Sequence, residues 1–334
     1  METRKIYLTG GSTYVVSLPK KWVKNAGLKQ GDSVVVTAQE GSIIIEPSSV
    51  ERGMAEIEIK ASRASSAEAL ERLIIAYYLV GYDTIKVKLD QQNVLEYKEG
   101  IRKILDFLIG GEIVEDIGDS ITIEIFLDHQ KMQTTQVLKR IYLINKSMLA
   151  DMIKAFENKD TRLAEDIILR EREIDRLYFL VVRQLKSAVR YQQVAEKLGI
   201  THQRDTLGYR IVVKSFERIA DHIENIVKSY IQLSEIEREP KVEEFLQLAP
   251  KVLDIYETAS AALFNRDVGI VEEVFNGLRE IEKLHSKVLN QLFQRKINVQ
   301  SSLLRKTMLD SISRISRYSA DIAEIAINMS VRVP

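Results

Sequence analysis

Apolar residues recur with two different periods along the chain, and the change of period divides it into segments. Residues 1–50 and 52–128 contain short stretches in which apolar and polar residues alternate, such as TIKVKL at 84–89. From residue 129 onward, apolar residues recur every three or four positions, with few Gly or Pro. Alternation predicts strands with one polar face, whereas the longer period predicts amphipathic helices. The chain is therefore expected to be multidomain and mainly α.

The first segment, residues 1–50, is predicted to be a small β domain with one short helix. Strands are expected at KIYLT, YVVSL, SVVVTA and SIIIEP, and a helix at 19–26, which begins at Pro19 and stops at Gly27. The last two strands form a hairpin whose turn contains Glu40. A segment of this size buries little apolar surface alone. We therefore expect it to complete its core by pairing with a second copy.

The second segment, residues 52–128, is predicted to be a small α+β domain. Its elements follow the order strand, helix, strand, helix, strand, strand, and each strand has one polar face. Ser65 and Asn93, each followed three positions later by Glu, are capping signals for the two helices. The sequence of this segment contains no convergent set of polar residues. A spacer or dimerisation role is therefore favoured over a ligand sensor.

The third segment, residues 129–334, is predicted to hold a duplicated three-helix unit, with copies at 129–235 and 240–330. The sequence AFENKDTRLAEDIILREREIDRLYFLVVRQL at 155–185 matches ALFNRDVGIVEEVFNGLREIEKLHSKVLNQL at 262–292. Two three-helix bundles side by side are the expected architecture of such a repeat. The six helices are predicted at 130–157, 161–197, 204–233, 241–264, 268–295 and 301–329.

Composition narrows the classes of function. The chain has 48 Lys+Arg against 48 Asp+Glu, so no global charge attracts nucleic acid or an acidic membrane. It has no Cys, which excludes disulfides and thiolate metal sites and fits a reducing cytosol. The longest apolar run, at 73–82, is shorter than the ~20 residues of a membrane span, and the N-terminus has no apolar export region. These features predict a cytoplasmic protein.

Acidic residues lie beside the apolar face of two helices in the first copy. Glu171 and Asp175 are four positions apart in one helix, and Glu217 and Asp221 are four apart in another. This spacing places each pair on one side of its helix, at the border between core and solvent. Two facing pairs offer four carboxylates, which suit Fe, Mn, Zn or Mg. A network of surface salt bridges is the alternative, and the residues alone favour it.

The second copy retains only part of this acidic pattern. Leu278 and Arg317 stand where the first copy has the first acid of each pair. The weaker ligand candidates that remain are Glu282, Asp321, Glu324 and His285. Glu282 and His285 have the i, i+3 spacing of di-metal bundles, although His285 occupies an apolar-face position typical of a core histidine. A degenerate site or no site is expected in the second copy.

The duplicated helical unit resembles the PhoU family of phosphate-transport regulators. The resemblance is carried by EREID at 171–175, FERIAD at 216–221 and the repeat itself. In that family, Glu/Asp-x-x-x-Asp pairs on two helices of each bundle hold multinuclear metal clusters. The resemblance implies metal ligands at both acidic pairs of the first copy. It also implies a PhoU-like domain that senses metal, phosphate or a partner.

Residues 3–47 resemble the AbrB/SpoVT family of swapped-hairpin DNA-binding domains. The resemblance is carried by VVSLPKKWVKNAGLKQGDSVVV followed by GSIIIEP. It implies a homodimer whose interlocked strands form a barrel and whose basic residues contact DNA phosphates. The basic residues concerned are Arg4, Lys5, Lys20, Lys21 and Lys24. A preference for Lys over Arg indicates phosphate contact more than bidentate recognition of bases.

Both resemblances on one chain are typical of archaeal phosphate-uptake regulators with a fused DNA-binding domain. The first functional hypothesis is a dimeric, non-enzymatic transcription regulator of phosphate uptake with a metal-binding sensor domain. The second is an adaptor that docks on a phosphate transporter's ATPase or a sensor kinase without binding DNA. The third, a di-metal bundle enzyme, is disfavoured because the acids lie at core edges and one His at most is a ligand candidate.

Overall fold

The fold of the chain is given by a computed structural model. The residues it describes are 2–39, 41–48, 55–90, 93–128, 132–237, 240–295 and 297–331. The turn residue Glu40 and the predicted segment boundaries at 50–52 and at 129 lie outside them. The chain divides into two compact units, residues 1–54 and 55–334.

The N-terminal unit consists of two antiparallel hairpins and a short helix. Its elements are β1 Ile6–Thr9, β2 Thr13–Val16, α1 Lys20–Asn25, β3 Val34–Gln39 and β4 Ser42–Pro47. β1 pairs with β2, and β3 pairs with β4. Gly10 and Gly11, with φ values of 62° and 79°, make the tight turn between β1 and β2 because glycine adopts positive φ without steric cost. All five elements lie within two residues of their predicted positions.

The strands of this unit leave their apolar side chains exposed. In β1, Ile6 is 68% exposed, Tyr7 60% and Leu8 58%. Neighbouring residues of a strand point to opposite faces, so neither face of this hairpin is covered. Across residues 2–39 and 41–48, no apolar side chain is buried. The described part of the unit therefore has no hydrophobic core of its own.

Residues 55–128 form a four-stranded sheet whose apolar face packs against two helices. The elements are β5 Glu56–Lys60, α2 Ala67–Val80, β6 Thr84–Lys88, α3 Val94–Leu105, β7 Gly111–Ile117 and β8 Ser120–Ile125. The strands lie in the order β5-β6-β8-β7, and the β5–β6 pair is parallel. Ile85, Val87 and Ile123 of the sheet pack with Ile74 of α2 and Ile101 of α3. The predicted α+β arrangement is confirmed.

The N-terminus of α2 is capped by Ser66 and not by Ser65, which the sequence pattern predicts. Ser66 has an extended backbone, and its hydroxyl accepts a hydrogen bond from the backbone N–H of Ala69 at 3.3 Å. Serine is a favoured N-cap residue, so the sequence does not distinguish Ser65 from Ser66. The backbone conformation determines which of them caps the helix. Asn93 lies at the N-cap of α3 as predicted, without a side-chain capping bond.

Substitution of Ser66 by alanine is expected to lower the free energy of unfolding by about 1 kcal/mol, because α2 loses its capping acceptor. Ser65→Ala is the matched control and is expected to change it by less than about 0.5 kcal/mol. Urea denaturation followed by circular dichroism measures both. Equal losses in the two variants would contradict the assignment of the cap.

The remaining described residues are mainly helical. The helices are α4 Thr134–Asn158, α5 Thr161–Arg190, α6 Gln192–Lys197, α7 Asp205–Ile236, α8 Glu243–Leu246, α9 Ala249–Asn265, α10 Val271–Gln294 and α11 Val299–Ser330. Within the described chain, no helix is both long and apolar enough to cross a membrane.

Two of the predicted helices are interrupted. The helix predicted at 161–197 breaks at Tyr191, which has an extended backbone, and the turn buries Val194 and Ala195 of α6 in the core. The helix predicted at 241–264 is divided before α9, which has Pro250 in its first turn. Proline lacks a backbone N–H and is tolerated best in the first turn of a helix, so a continuous helix through this position is strongly disfavoured.

The two copies of the internal repeat also share an unusual backbone conformation at equivalent positions. Lys159 and Arg266, which occupy equivalent positions in the two copies, end α4 and α9 in the left-handed conformation with φ values of 55° and 52°. They are the only described non-glycine residues with positive φ. The two copies pack mainly through α7 and α11 and share one continuous hydrophobic core. The pair of three-helix bundles is therefore fused along these equivalent helices.

Arg183 of α5 joins the helical bundle to the α+β domain. Its side chain is 1% exposed. The guanidinium donates hydrogen bonds to the carbonyls of Tyr78 and Tyr82 at 2.6 and 2.7 Å, and to Asp83 Oδ1 at 2.8 Å. It also lies 5.0 Å from the centre of the Tyr78 ring. One buried cation thus fixes the end of α2 and the following turn against α5.

Candidate metal centre

Helices α5 and α7 bring carboxylates from both predicted acidic pairs together. One oxygen atom from each of Glu171, Asp175 and Asp221 lies within 4.8 Å of the other two. All three side chains are partly buried. They flank the apolar stripes that hold the helices together, represented by the fully buried Ile174 on α5 and Ile219 on α7. Because apolar residues recur every three or four positions on each helix, the acids beside them lie at the edge of the core, where the two helices meet.

Glu217, the fourth predicted ligand, lies beside this cluster but is paired with a lysine of its own helix. Its carboxylate oxygens accept hydrogen bonds from Lys214 Nζ at 2.5 and 2.6 Å. Glu224, about two turns after Glu217 on α7, is paired with Lys228 at 2.7 Å. The structure therefore gathers three of the four predicted ligands. The fourth carboxylate forms an ion pair with a lysine three residues before it.

The cluster concentrates negative charge in a partly desolvated position. Burial, together with the charges of Asp175, Glu224 and Asp221, raises the pKa of Glu171 to about 8. Burial and the charge of Glu217 raise the pKa of Asp175. Burial, Glu217 and Asp175 raise the pKa of Asp221 to about 6. Each shift means that the ionised form lacks compensation, which a bound cation would provide.

We expect the metal-free protein to become less stable as the pH rises from about 5 to 8.5. Unfolded carboxyls ionise near their ordinary pKa, whereas folded Glu171 and Asp221 hold their protons to about 8 and 6. The folded state therefore binds more protons in this range, and the free energy of unfolding falls as the pH rises. Because the groups are half-exposed, we expect a loss of about 1–2 kcal/mol.

Urea denaturation in EDTA across this pH range measures the effect. The variant Glu171→Gln/Asp221→Asn is the control. Its free energy of unfolding should fall by about 1–2 kcal/mol less than that of the parent over the same pH range. A parental protein that becomes more stable towards pH 8.5, or a variant with the same pH dependence, would contradict the electrostatic account.

The equivalent place in the second copy contains a guanidinium. Arg317 of α11 forms an ion pair with Glu282 of α10 at 3.1 Å, so the protein supplies the counter-ion itself. Leu278 stands in the position of Glu171. Two other ligand candidates, Asp321 and Glu324 of α11, are both exposed. Glu282 is therefore paired within the protein, whereas burial and the charge of Glu324 raise the pKa of Asp321.

His285 and Glu282 of α10 contact different residues of α11. Its Nε2 lies 3.3 Å from Asp310 Oδ1. Among the residues with a described position, no second group of three potential ligand side chains comes together. The weaker candidates of the second copy, which include Asp321 and Glu324, are thus not brought together by the fold.

The basic residues predicted to contact DNA are all exposed in the N-terminal unit. Lys20, Lys21 and Lys24 lie on α1, and Lys5 immediately precedes β1. Arg4 forms an ion pair with Glu2. The lysines of α1 therefore form the main group of exposed cations in this unit.

Two known protein families match separate parts of the chain, the helical repeat and the N-terminal unit. The PhoU domain family matches residues 138–230 and 245–326, which together make up more than half of the chain. The family described as antidote-toxin recognition MazE, bacterial antitoxin, matches residues 7–52. The two PhoU matches coincide with the two copies of the helical repeat. A search of curated proteins gives no match.

Two solved structures share the helical fold. PhoU from Pseudomonas aeruginosa is 19% identical, with a TM-score of 0.52, over 59% of this chain and 94% of that one. The phosphate transport system regulatory protein PhoU from Streptococcus pneumoniae is 16% identical, with a TM-score of 0.51, over 59% of this chain and 92% of that one. At these identities the likeness shows the fold and not the activity.

Proposed function

The chain belongs to the PhoU family, and from this we propose that it is a non-enzymatic regulator of phosphate transport. The observation that carries the proposal is the family match over both helical repeats. The similar protein from Streptococcus pneumoniae is named as a phosphate transport system regulatory protein. Deletion of the coding gene in the source organism is expected to change how phosphate uptake responds to external phosphate. Uptake that responds as in the parent strain would contradict the proposal.

The helical domain, in this proposal, binds a metal through Glu171, Asp175 and Asp221. Three carboxylate oxygens within 4.8 Å of one another are the ligands that hard cations prefer, and Fe, Mn, Zn and Mg all accept carboxylates. Glu217 joins them if Lys214 turns away. The bound metal would supply the positive charge that this cluster lacks and would link α5 to α7. The second copy, with Arg317 in place, would bind none.

The N-terminal unit, in this proposal, forms a homodimer and binds DNA. Support for pairing comes from the uncovered apolar side chains of its hairpins, such as Tyr14 at 75% and Ile43 at 67% exposure. Pairing of two copies would bury these side chains and remove the cost of exposing them. The exposed lysines of α1 then lie on a dimer, where they contact DNA phosphates without reading bases.

A mobility-shift assay with the full chain tests the DNA claim. Affinity is expected to fall steeply with salt. The variant Lys20→Gln/Lys21→Gln/Lys24→Gln is expected to reduce the salt slope by about one for each phosphate that the protein no longer neutralises. Lys186→Gln, an exposed lysine of α5, is the control. Absence of salt-dependent binding would contradict the claim.

An adaptor without DNA affinity is the second candidate function. The match of residues 7–52 to an antidote-toxin recognition family favours it, because that description concerns recognition of a protein. In this case the N-terminal unit only dimerises, and the helical domain docks on a phosphate transporter's ATPase or a sensor kinase. Dimerisation without DNA binding, together with capture of such a partner from the source organism, would select this function.

A further inference from the structure

Helix α7 carries groups of opposite charge on two of its flanks. Arg218 follows Glu217, and His222 follows Asp221. One residue turns a helix by about 100°, so the cations lie on a different flank from the carboxylates. The flank with Arg218 and His222 faces α11, the equivalent helix of the second copy.

The side chains of Arg218, His222 and Tyr318 meet between α7 and α11. Arg218 Nη1 lies 3.4 Å from the hydroxyl of Tyr318, and its guanidinium carbon lies 5.9 Å from the centre of that ring. His222 stacks on the same ring with centres 5.8 Å apart and planes at 28°. Arg314 lies one helical turn before Tyr318 on α11. Burial, followed by the charges of Arg314 and Arg218, lowers the pKa of His222.

These cations lack the carboxylate partners that neighbouring cations have. Lys214 is paired with Glu217, and Arg317 with Glu282. Within the described parts of the chain, neither Arg218 nor Arg314 forms an ion pair. The acids whose charges act on Arg218 are Glu217 and Asp221, its neighbours on the other flank of α7.

The ring of His222 supplies a further unused polar atom. Its Nδ1 is buried and has no hydrogen-bond partner among the described residues. The Arg218 guanidinium, the His222 imidazole and the Tyr318 phenol thus offer several hydrogen-bond donors around one place, and Arg314 adds a second guanidinium one helical turn from Tyr318. Planar guanidinium groups bind phosphate oxygens with paired, charge-assisted hydrogen bonds.

We propose that Arg218, His222, Arg314 and Tyr318 form a binding site for a tetrahedral oxyanion of the phosphate class. Arg314 and Arg218 supply the charge, and Tyr318 and His222 supply further hydrogen-bonding groups. The ligand would bridge α7 and α11, and with them the two copies of the repeat. The site deepens the proposed function and rests on it, because a phosphate-class oxyanion is the ligand that a regulator of phosphate transport would sense. Its binding requires neither the metal nor DNA.

Calorimetric titration of the full chain with inorganic phosphate, at constant ionic strength, tests the site. Arg314→Gln and Tyr318→Phe are expected to weaken binding, by about tenfold or more for the arginine because a charge-assisted hydrogen bond is lost. Arg162→Gln is the matched control, since Arg162 is exposed on α5, outside the cluster. Its affinity for phosphate should equal that of the parent.

A parallel titration with O-phosphoserine separates two sources of the same chemistry. Tighter binding of inorganic phosphate identifies the free ion as the ligand, and tighter binding of O-phosphoserine identifies a phosphorylated side chain. Either result supports the site, provided that Arg314→Gln weakens the binding of that ligand. Absence of binding in the folded parent protein, or equal affinities in Arg314→Gln and Arg162→Gln, would overturn the proposal. Metal content of the same samples is read separately, so the metal claim and the anion claim succeed or fail independently.

Discussion

Replacing Arg183 by alanine is expected to lower the free energy of unfolding by about 3–5 kcal/mol, as the removal of one member of a buried ion pair does. The change leaves Asp83 without its guanidinium partner and deprives two backbone carbonyls of their donor. These groups lie where α2 meets α5, so water cannot replace the missing bonds without opening the packed surface. The packing of the Arg183 side chain on the Tyr78 ring is removed as well.

Two further variants separate charge, geometry and helix propensity in this effect. Arg183→Lys retains the positive charge, but an ammonium group lacks the planar fork of donors that reaches all three acceptors. An intermediate loss of unfolding free energy is therefore expected. Lys186→Ala changes an exposed residue one turn away on the same helix and is expected to cost less than about 0.5 kcal/mol. Urea denaturation of the full chain, followed by circular dichroism, measures all three. A loss below about 1 kcal/mol for Arg183→Ala would contradict the role assigned to this residue.

The position of Arg183 also relates the α+β domain to the metal candidates. Arg183 lies eight residues after Asp175 on α5, a distance of about 12 Å along the helix. The same rigid helix therefore carries two candidate ligands and the buried contact with the α+β domain. The expectation that residues 52–128 act as a spacer or dimerisation domain stays a prediction.

Substituting Asp175 and Asp221 together by asparagine is expected to weaken metal binding by about 100-fold or more, since two of the three clustered carboxylates lose their charge. The same change is expected to stabilise the metal-free protein at pH 8, because it removes repulsion between partly buried acids. The opposite signs of these effects distinguish ligands from residues that only support the fold. Asp321→Asn, in the second copy, is the control.

The sequence predicts the helical architecture well because the repeat supplies the same pattern twice. The equivalence of Lys159 and Arg266 follows from matched Asn-Lys/Arg-Asp sequences, and both adopt the same left-handed backbone. Helix interruptions are predicted less well. Pro250 is a readable signal for one of them, whereas the break at Tyr191 follows from burial of α6, which no local pattern of Gly or Pro announces.

The candidate site is predicted in part, because spacing determines which acids share a helix flank but not which partners they choose. The spacing brings Glu171, Asp175 and Asp221 together, and the resemblance to the PhoU family favours them as ligands over a surface network. The ion-pair partners of the other acids depend on where long, flexible Lys and Arg side chains reach. Lys214 reaches Glu217 within its own helix, and Arg317 reaches Glu282 across two helices. The role of Arg183 is not predicted, because a cation within an apolar stripe shows its partners only when the fold is known.

Metal content of the full chain, purified without a chelator and measured by mass spectrometry, tests the central claim most directly. We expect bound metal in the parent protein and in Asp321→Asn, and its loss in Asp175→Asn/Asp221→Asn. Equal metal content in the parent and in that double variant, or a folded parent that takes up no Fe, Mn, Zn or Mg when these are supplied, would contradict the claim.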